Sequence, residues 1–107
     1  MPWTVIVHSR AVEAELEALP ADIRARFSRF VVLIESEGLK KLREPHVKHL
    51  EGRLWELRLS GRDGIARAIY VTASGMRVVV VRVCTKKTQR TPRRELELAR
   101  QRAKQVR

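Results

Sequence analysis

Three observations predict an α+β fold in which an N-terminal helical hairpin packs on a small, mostly antiparallel β-sheet and a basic C-terminal helix follows. The stretch from Leu54 to Pro92 reads as three β-rich runs joined by short turns, ending in the basic tract Thr85-Lys86-Lys87-Thr88-Gln89-Arg90-Thr91-Pro92. Two amphipathic helical stripes precede that stretch. One strongly basic helical segment comes after it.

Taken in order, Trp3-Thr-Val-Ile-Val7 is a short strand by its β-branched content. Ser9 is placed to cap a helix carrying Val12, Leu16 and Leu19 on one face, with Glu13 and Glu15 in the early turns where the helix dipole favours them. Pro20 starts a second helix, whose Ile23, Phe27, Phe30, Val31 and Ile34 form a stripe at helical spacing that ends at Gly38. The segment from Leu39 to Gly52, with Pro45, two histidines and several lysines, reads as a loop.

Leu54-Trp-Glu-Leu-Arg-Leu-Ser60 alternates apolar and polar residues, as a half-buried strand does. Gly61-Arg62-Asp63-Gly64 is a turn signal, Ile65 to Thr72 is rich in β-formers, and Val78 to Val81 follows the turn residues Ser74 and Gly75. Thr91-Pro92 then reads as an N-cap and first helical position. The last helix has a narrow apolar seam of Leu96, Ala99, Ala103 and Val106, and is expected to present Arg93, Arg94, Arg100, Arg102 and Lys104 outward.

If both turns are symmetric, Arg58 lies opposite Arg67 and Arg67 opposite Arg82. Three guanidiniums then form a row across strands about 4.7–4.9 Å apart, with like charges opposed. Such a row suggests an anion site; the alternative is arginines that snorkel at a sheet edge beside Glu56. The same register collects Trp55, Leu57, Leu59, Ala66, Ala68, Tyr70, Val79, Val81 and Val83 on an uncharged face, the expected bed for the hairpin. A one-residue bulge would change these assignments.

The chain's 107 residues suit one domain spanning 1–107 with a single core. A net charge of +11 is unevenly spread: residues 82–107 hold ten Lys/Arg against two Glu, a net of +8, which leaves +3 for the first 81. That concentration is the footprint of a surface meeting phosphates or an acidic partner. Cys84 is the only cysteine, which excludes an internal disulfide, and its place in an apolar strand suggests an inert thiol. His46 and His49 have no Cys or carboxylate cluster to complete a metal site, so neither metal nor cofactor is expected. They are surface loop histidines, or either is a general acid or base, His49 being the one counted among the catalytic candidates. No apolar run approaches the ~20 residues of a membrane span, and no signal peptide is visible, so a cytoplasmic location without membrane contact is expected.

Leu54-Trp-Glu-Leu-Arg58, Arg67 three residues before Tyr70, and Lys86-Lys87-Thr88-Gln89-Arg90-Thr91-Pro92 before a charged helix together resemble the RelE/HigB toxins of bacterial toxin–antitoxin systems, particularly the phage-derived HigB-like branch. The resemblance covers nearly the whole chain. It implies a RelE-like toxin that enters the ribosomal A site and cleaves messenger RNA without a metal, neutralised by a cognate antitoxin of the helix-turn-helix, HigA-like kind. By that resemblance Arg58, Arg67 and either Lys86 or Lys87 grip the scissile phosphate. Glu56, Arg82 and His49 are further catalytic candidates, Glu56 being either a base or a structural ion-pair partner, and Lys48, Gln89, Arg90, Arg93 and Arg94 are expected to contact RNA. One departure stands out: the tyrosine that the family carries in its last helix has no counterpart between Arg93 and Arg107. Two other functions fit the same residues, a ParE-like inhibitor of DNA gyrase without catalysis and a plain basic nucleic-acid-binding module.

Overall fold

The computed structural model describes residues 2–43, 45–86 and 90–107, with only the backbone of Lys86. The expectations for Lys87 and Gln89 therefore lie outside the described residues. Among those residues, strands β1 (Thr4–Val7), β2 (Val47–Glu51), β3 (Leu54–Gly61), β4 (Gly64–Ala73) and β5 (Arg77–Lys86) form one sheet in the order β1-β5-β4-β3-β2. β1 runs parallel to β5 and every other neighbouring pair is antiparallel. Helices α1 (Arg10–Glu17) and α2 (Ala21–Glu37) make the expected hairpin, and α3 (Arg93–Ala103) is the basic C-terminal helix.

The hairpin stripe does what its spacing requires: Val12, Leu19, Ile23, Phe27, Phe30 and Ile34 are buried against Leu57, Leu59, Ala66, Ala68 and Tyr70 of the sheet. Ser9 stands at the N-cap of α1, but its side chain makes no capping bond, and only its carbonyl is used, accepting from the Glu13 N–H at 3.0 Å. Gly38 closes α2 at φ +98°, a conformation strained for any L side chain. The loop expected between Leu39 and Gly52 is only partly a loop. It holds a 3-10 turn at Leu39–Lys41 and the edge strand β2, whose mixed residues Val-Lys-His-Leu-Glu carry little periodicity.

The second correction concerns register. The Arg58–Arg67 pairing is as predicted, closed by the turn between Gly61 and Gly64. The next hairpin is not symmetric: Ala73 pairs with Arg77 around a three-residue loop, with Gly75 and Met76 both at positive φ. Beyond Tyr70–Val80 the pairing resumes at Ile69–Arg82, so β5 carries Val81 as an extra residue. Arg67 therefore faces Cys84, and Arg82 faces Ile69.

The odd loop and the bulge divide the valine run between two cores. Val78, Val80 and Val83 pack with the hairpin, whereas Val79 and Val81 join Leu54, Ile69, Val71, Ala99 and Ala103 beneath α3. Trp55, expected in the core, keeps 38% of its surface exposed. No helix among the described residues is long and apolar enough to cross a membrane.

The β3–β4 turn is fastened to the start of α2. Asp22 accepts from the Arg62 N–H at 2.6 Å and from the Ile23 N–H at 3.0 Å. A Cβ on Gly61 would lie 2.5 Å from Ile23 Cγ1 and 2.8 Å from Asp22 Oδ2. Gly61→Ala is thus expected to cost about 1–3 kcal/mol in urea unfolding, the usual penalty of overpacking. The Arg62 N–H also holds the Asp22 carboxyl below its ordinary 3.8, so its contribution is present above the unfolded value and lost as pH falls through the lower folded one. The melting-temperature deficit of Asp22→Ala should therefore shrink below about pH 4, and a constant deficit down to about pH 2 would contradict this assignment.

Candidate nucleic-acid interface

Arg58 and Arg67 project from paired positions on β3 and β4, where like charges repel unless a counterion intervenes. Glu56, two residues earlier on β3 and therefore on the same face, supplies it. Its Oε1 lies 3.0 Å from Arg67 Nε and its Oε2 3.5 Å from Arg58 Nε. Glu56 and Arg67 are nearly sealed, at 2% and 1% exposure, whereas the Arg58 side chain retains 27%. Glu56 and Arg67 are thus sealed, Arg67 bordering a hollow it shares with Arg82 and Cys84, and Arg58 is the member of the group that reaches solvent.

Thr91 is read from sequence as the N-cap of α3, yet the cap position is Pro92. The Thr91 hydroxyl instead donates to Glu56 Oε1 at 3.4 Å, tying the segment before α3 to the buried pair. Above this tie, Lys48, Arg90, Arg93 and Leu96 line an open recess with Glu56. Lys48 sits on β2 directly opposite Glu56. Arg93 also reaches Glu51 at 3.4 Å, and Arg100 holds the same carboxylate oxygen at 2.7 Å.

Arg82 has a different setting from the one its place in the row suggested. It donates to Glu95 Oε1 at 2.5 Å and lies 2.7 Å from Glu15 Oε2. Glu15 also accepts from the Val83 N–H at 3.0 Å and pairs with Arg102 at 3.0 Å. Arg102, expected to face outward, is turned inward and donates to the Val81 carbonyl at 2.8 Å. These bonds lock α1, β5 and α3 together. The hydrogen bond from Arg82 is the main reason the Glu95 carboxyl lies below its usual range, and the same bond raises Arg82 in turn. Sequence reading had no access to this network, because Glu15 and Glu95 come from separate helices and look like ordinary first-turn acids.

The other predicted residues divide. His49 borders the recess but commits its ring elsewhere, bonding the Gly52 carbonyl at 2.9 Å and meeting the Trp55 ring in a tilted pair with centroids 4.8 Å apart. Arg94 is 86% exposed and lines a neighbouring hollow with Arg82 and Cys84. Burial pushes the Cys84 thiol up to about 11, consistent with an inert cysteine. Lys86 ends β5, its backbone opposite Ile65. Among the described residues no three of His, Cys, Asp and Glu gather closely enough to hold a metal.

The arrangement has relatives. Residues 14–104 match the family model described as Phage derived protein Gp49-like. A chain of the archaeal RelE–RelB complex from Pyrococcus horikoshii superposes with a TM-score of 0.60 at 25% identity, covering 81% of this chain and 98% of that one. A mutant of the E. coli toxin RelE in the free state superposes with a TM-score of 0.64 at 16% identity over 100% of both chains. No curated sequence matches the chain.

If the Glu56–Arg67 pair is a mutually compensated buried unit, Glu56→Ala should cost about 3–5 kcal/mol in chemical denaturation by removing the carboxylate paired with a buried guanidinium. Exchanging both residues for apolar ones of similar size, Glu56→Leu with Arg67→Met, should recover most of that loss. A double variant as unstable as the sum of its single changes would show that the two do not act as a pair.

Proposed function

We propose that the chain, which belongs to the phage-derived Gp49-like family, is the toxin of a toxin–antitoxin system and acts as a ribosome-dependent mRNA endonuclease. The observation that carries this reading is the pair of opposed arginines on neighbouring strands, set around buried Glu56, which itself lines a recess rimmed by Lys48, Arg90 and Arg93. The RelE-type fold supports the toxin assignment. The Lys86-Lys87-Thr88-Gln89-Arg90-Thr91-Pro92 tract supports its placement in the HigB-like branch. Its partners are then the ribosome, messenger RNA and a cognate antitoxin of the helix-turn-helix, HigA-like kind, all met in the cytoplasm.

In the reaction, an RNA 2′-oxygen attacks the adjacent phosphorus as the P–O5′ bond breaks, leaving a 2′,3′-cyclic phosphate and a free 5′-hydroxyl. The 2′-hydroxyl proton passes to a base, and an acid returns one to the departing 5′-oxygen. The transition state gathers negative charge on the phosphoryl oxygens. Arg58, whose side chain reaches solvent beside Glu56, is the arginine that would meet that charge, and Arg67 would add a fixed positive field from its buried position. A well-oriented donor in such a site contributes about 2.7–4 kcal/mol. Arginine cannot serve as the base, because it stays protonated up to a pH of about 12. Glu56, bonded to Arg67 and Thr91, fits a positioning role better than proton transfer, which leaves Lys86 or Lys87 for that step.

Arg58→Ala is the sharper test, because Arg58 is partly exposed and its loss leaves the Glu56–Arg67 pair in place. Primer extension on cellular mRNA after a brief pulse of expression should reveal new 5′ ends inside translated frames. Their yield should fall about 10²–10³-fold in Arg58→Ala. Growth arrest without new ends would replace this reading with gyrase inhibition of the ParE kind. Binding to nucleic acid that weakens steeply with salt, with neither arrest nor cleavage, would reduce the chain to a basic binding module.

A further inference from the structure

Among the described residues, Trp55 is the one Trp, Tyr or Phe side chain left exposed, and it belongs to neither buried apolar cluster. Its exposure is not forced by its position. Tyr70, its partner on β4, is 3% exposed on the same face. On the other side, Trp55 pairs with His49 of the edge strand β2. The two rings lie 4.8 Å apart, tilted by 57°, and the His49 ring is further fixed by its bond to the Gly52 carbonyl. An indole held this way loses little freedom when something stacks on it.

We propose that Trp55 and His49 form a stacking platform for a base of the single-stranded RNA whose phosphate the recess grips. Position argues for this. His49 borders the recess beside Lys48, while its ring belongs to the Trp55 pair, so the platform and the recess share one short edge strand. A strand leaving Arg58 and Lys48 needs only to cross β2 to bring a base over the indole. Charge argues for it too: the recess on the other face of the sheet, across β2 from the platform, is rimmed by Lys48, Arg90 and Arg93. Cations along a backbone path with an aromatic surface at its side are the pairing by which proteins hold single strands. Every base has a π face, so the platform adds affinity with little sequence preference. The inference rests on the reading of the recess as an RNA site.

The test uses the full chain with Trp3→Phe, which leaves Trp55 as the sole indole, titrated with a short fluorescein-labelled RNA made uncleavable by 2′-O-methyl groups. Indole emission should be quenched in step with the rise in anisotropy. Trp55→Ala should weaken binding by about 5- to 150-fold, and Trp55→Phe should restore most of it. Binding that leaves indole emission unchanged, or a Trp55→Ala chain that binds within about two-fold of its parent, would overturn the platform and leave the recess standing. Emission that ignores RNA and shifts only when the antitoxin is added would likewise overturn it, assigning Trp55 to a protein contact. No RNA binding by the unsubstituted chain would remove the recess reading and the platform together.

Discussion

The buried ion pair between Glu56 and Arg67 is the constraint on which the rest of the site depends. A guanidinium with 1% of its surface exposed has given up nearly all its hydration, and only a carboxylate held close can compensate for that loss. Glu56 meets the requirement from the neighbouring strand and remains close enough to draw in Arg58 as well. Two arginines that would repel across a ladder are thereby held together, one sealed and one facing outward. The Thr91 hydroxyl extends the same unit to the segment entering α3.

The acidic residues of the chain sort the cations into two populations. Glu15 and Glu95 take up Arg82 and Arg102, and Glu51 takes Arg100. Those arginines fasten α3 to the sheet and to the hairpin, a role for which the fixed fork of a guanidinium is suited. Lys48, by contrast, faces a recess in which, among the described residues, Glu56 is the only acidic lining residue, and Glu56 is already engaged with arginines. The net charge of +11 is therefore a poor guide to the site when taken whole. What matters is which cations the fold has paired internally.

Much of this was legible in the sequence, and the failures have identifiable physical causes. The helical hairpin announced itself through a stripe at 3.6-residue spacing, and the first turn through Gly61 and Gly64, which fixed Arg58 opposite Arg67. The second turn defeated the same logic. Assuming symmetry there placed Arg67 against Arg82, but the three-residue loop shifts parity and the bulge at Val81 shifts it back. The two shifts cancel for Arg82, which stays on the face of Arg67 one pair along, and they do not cancel for the valines between them. A run of four valines carries no alternation, so nothing in it could reveal which members faced which layer. The partners of Arg82 were hidden for another reason: an ion pair across 13 or 67 residues leaves no local pattern.

The bulge also explains why a small sheet can serve two cores and a charged cluster at once. A regular β5 would turn every second residue to the same layer along its whole length. With Val81 inserted, the upper half of β5 sends Val79 and Val81 under α3, and the lower half returns Arg82 and Cys84 to that side beside Arg67. α3 therefore rests on an apolar bed at one end and meets a charged one at the other. Its small seam residues Ala99 and Ala103 fit the first, and Glu95, at its N-terminal end, answers the second by pairing with Arg82. That change of character along one helix places its first turn, with Thr91 before it and Arg93 on it, against the arginines and not against the valines.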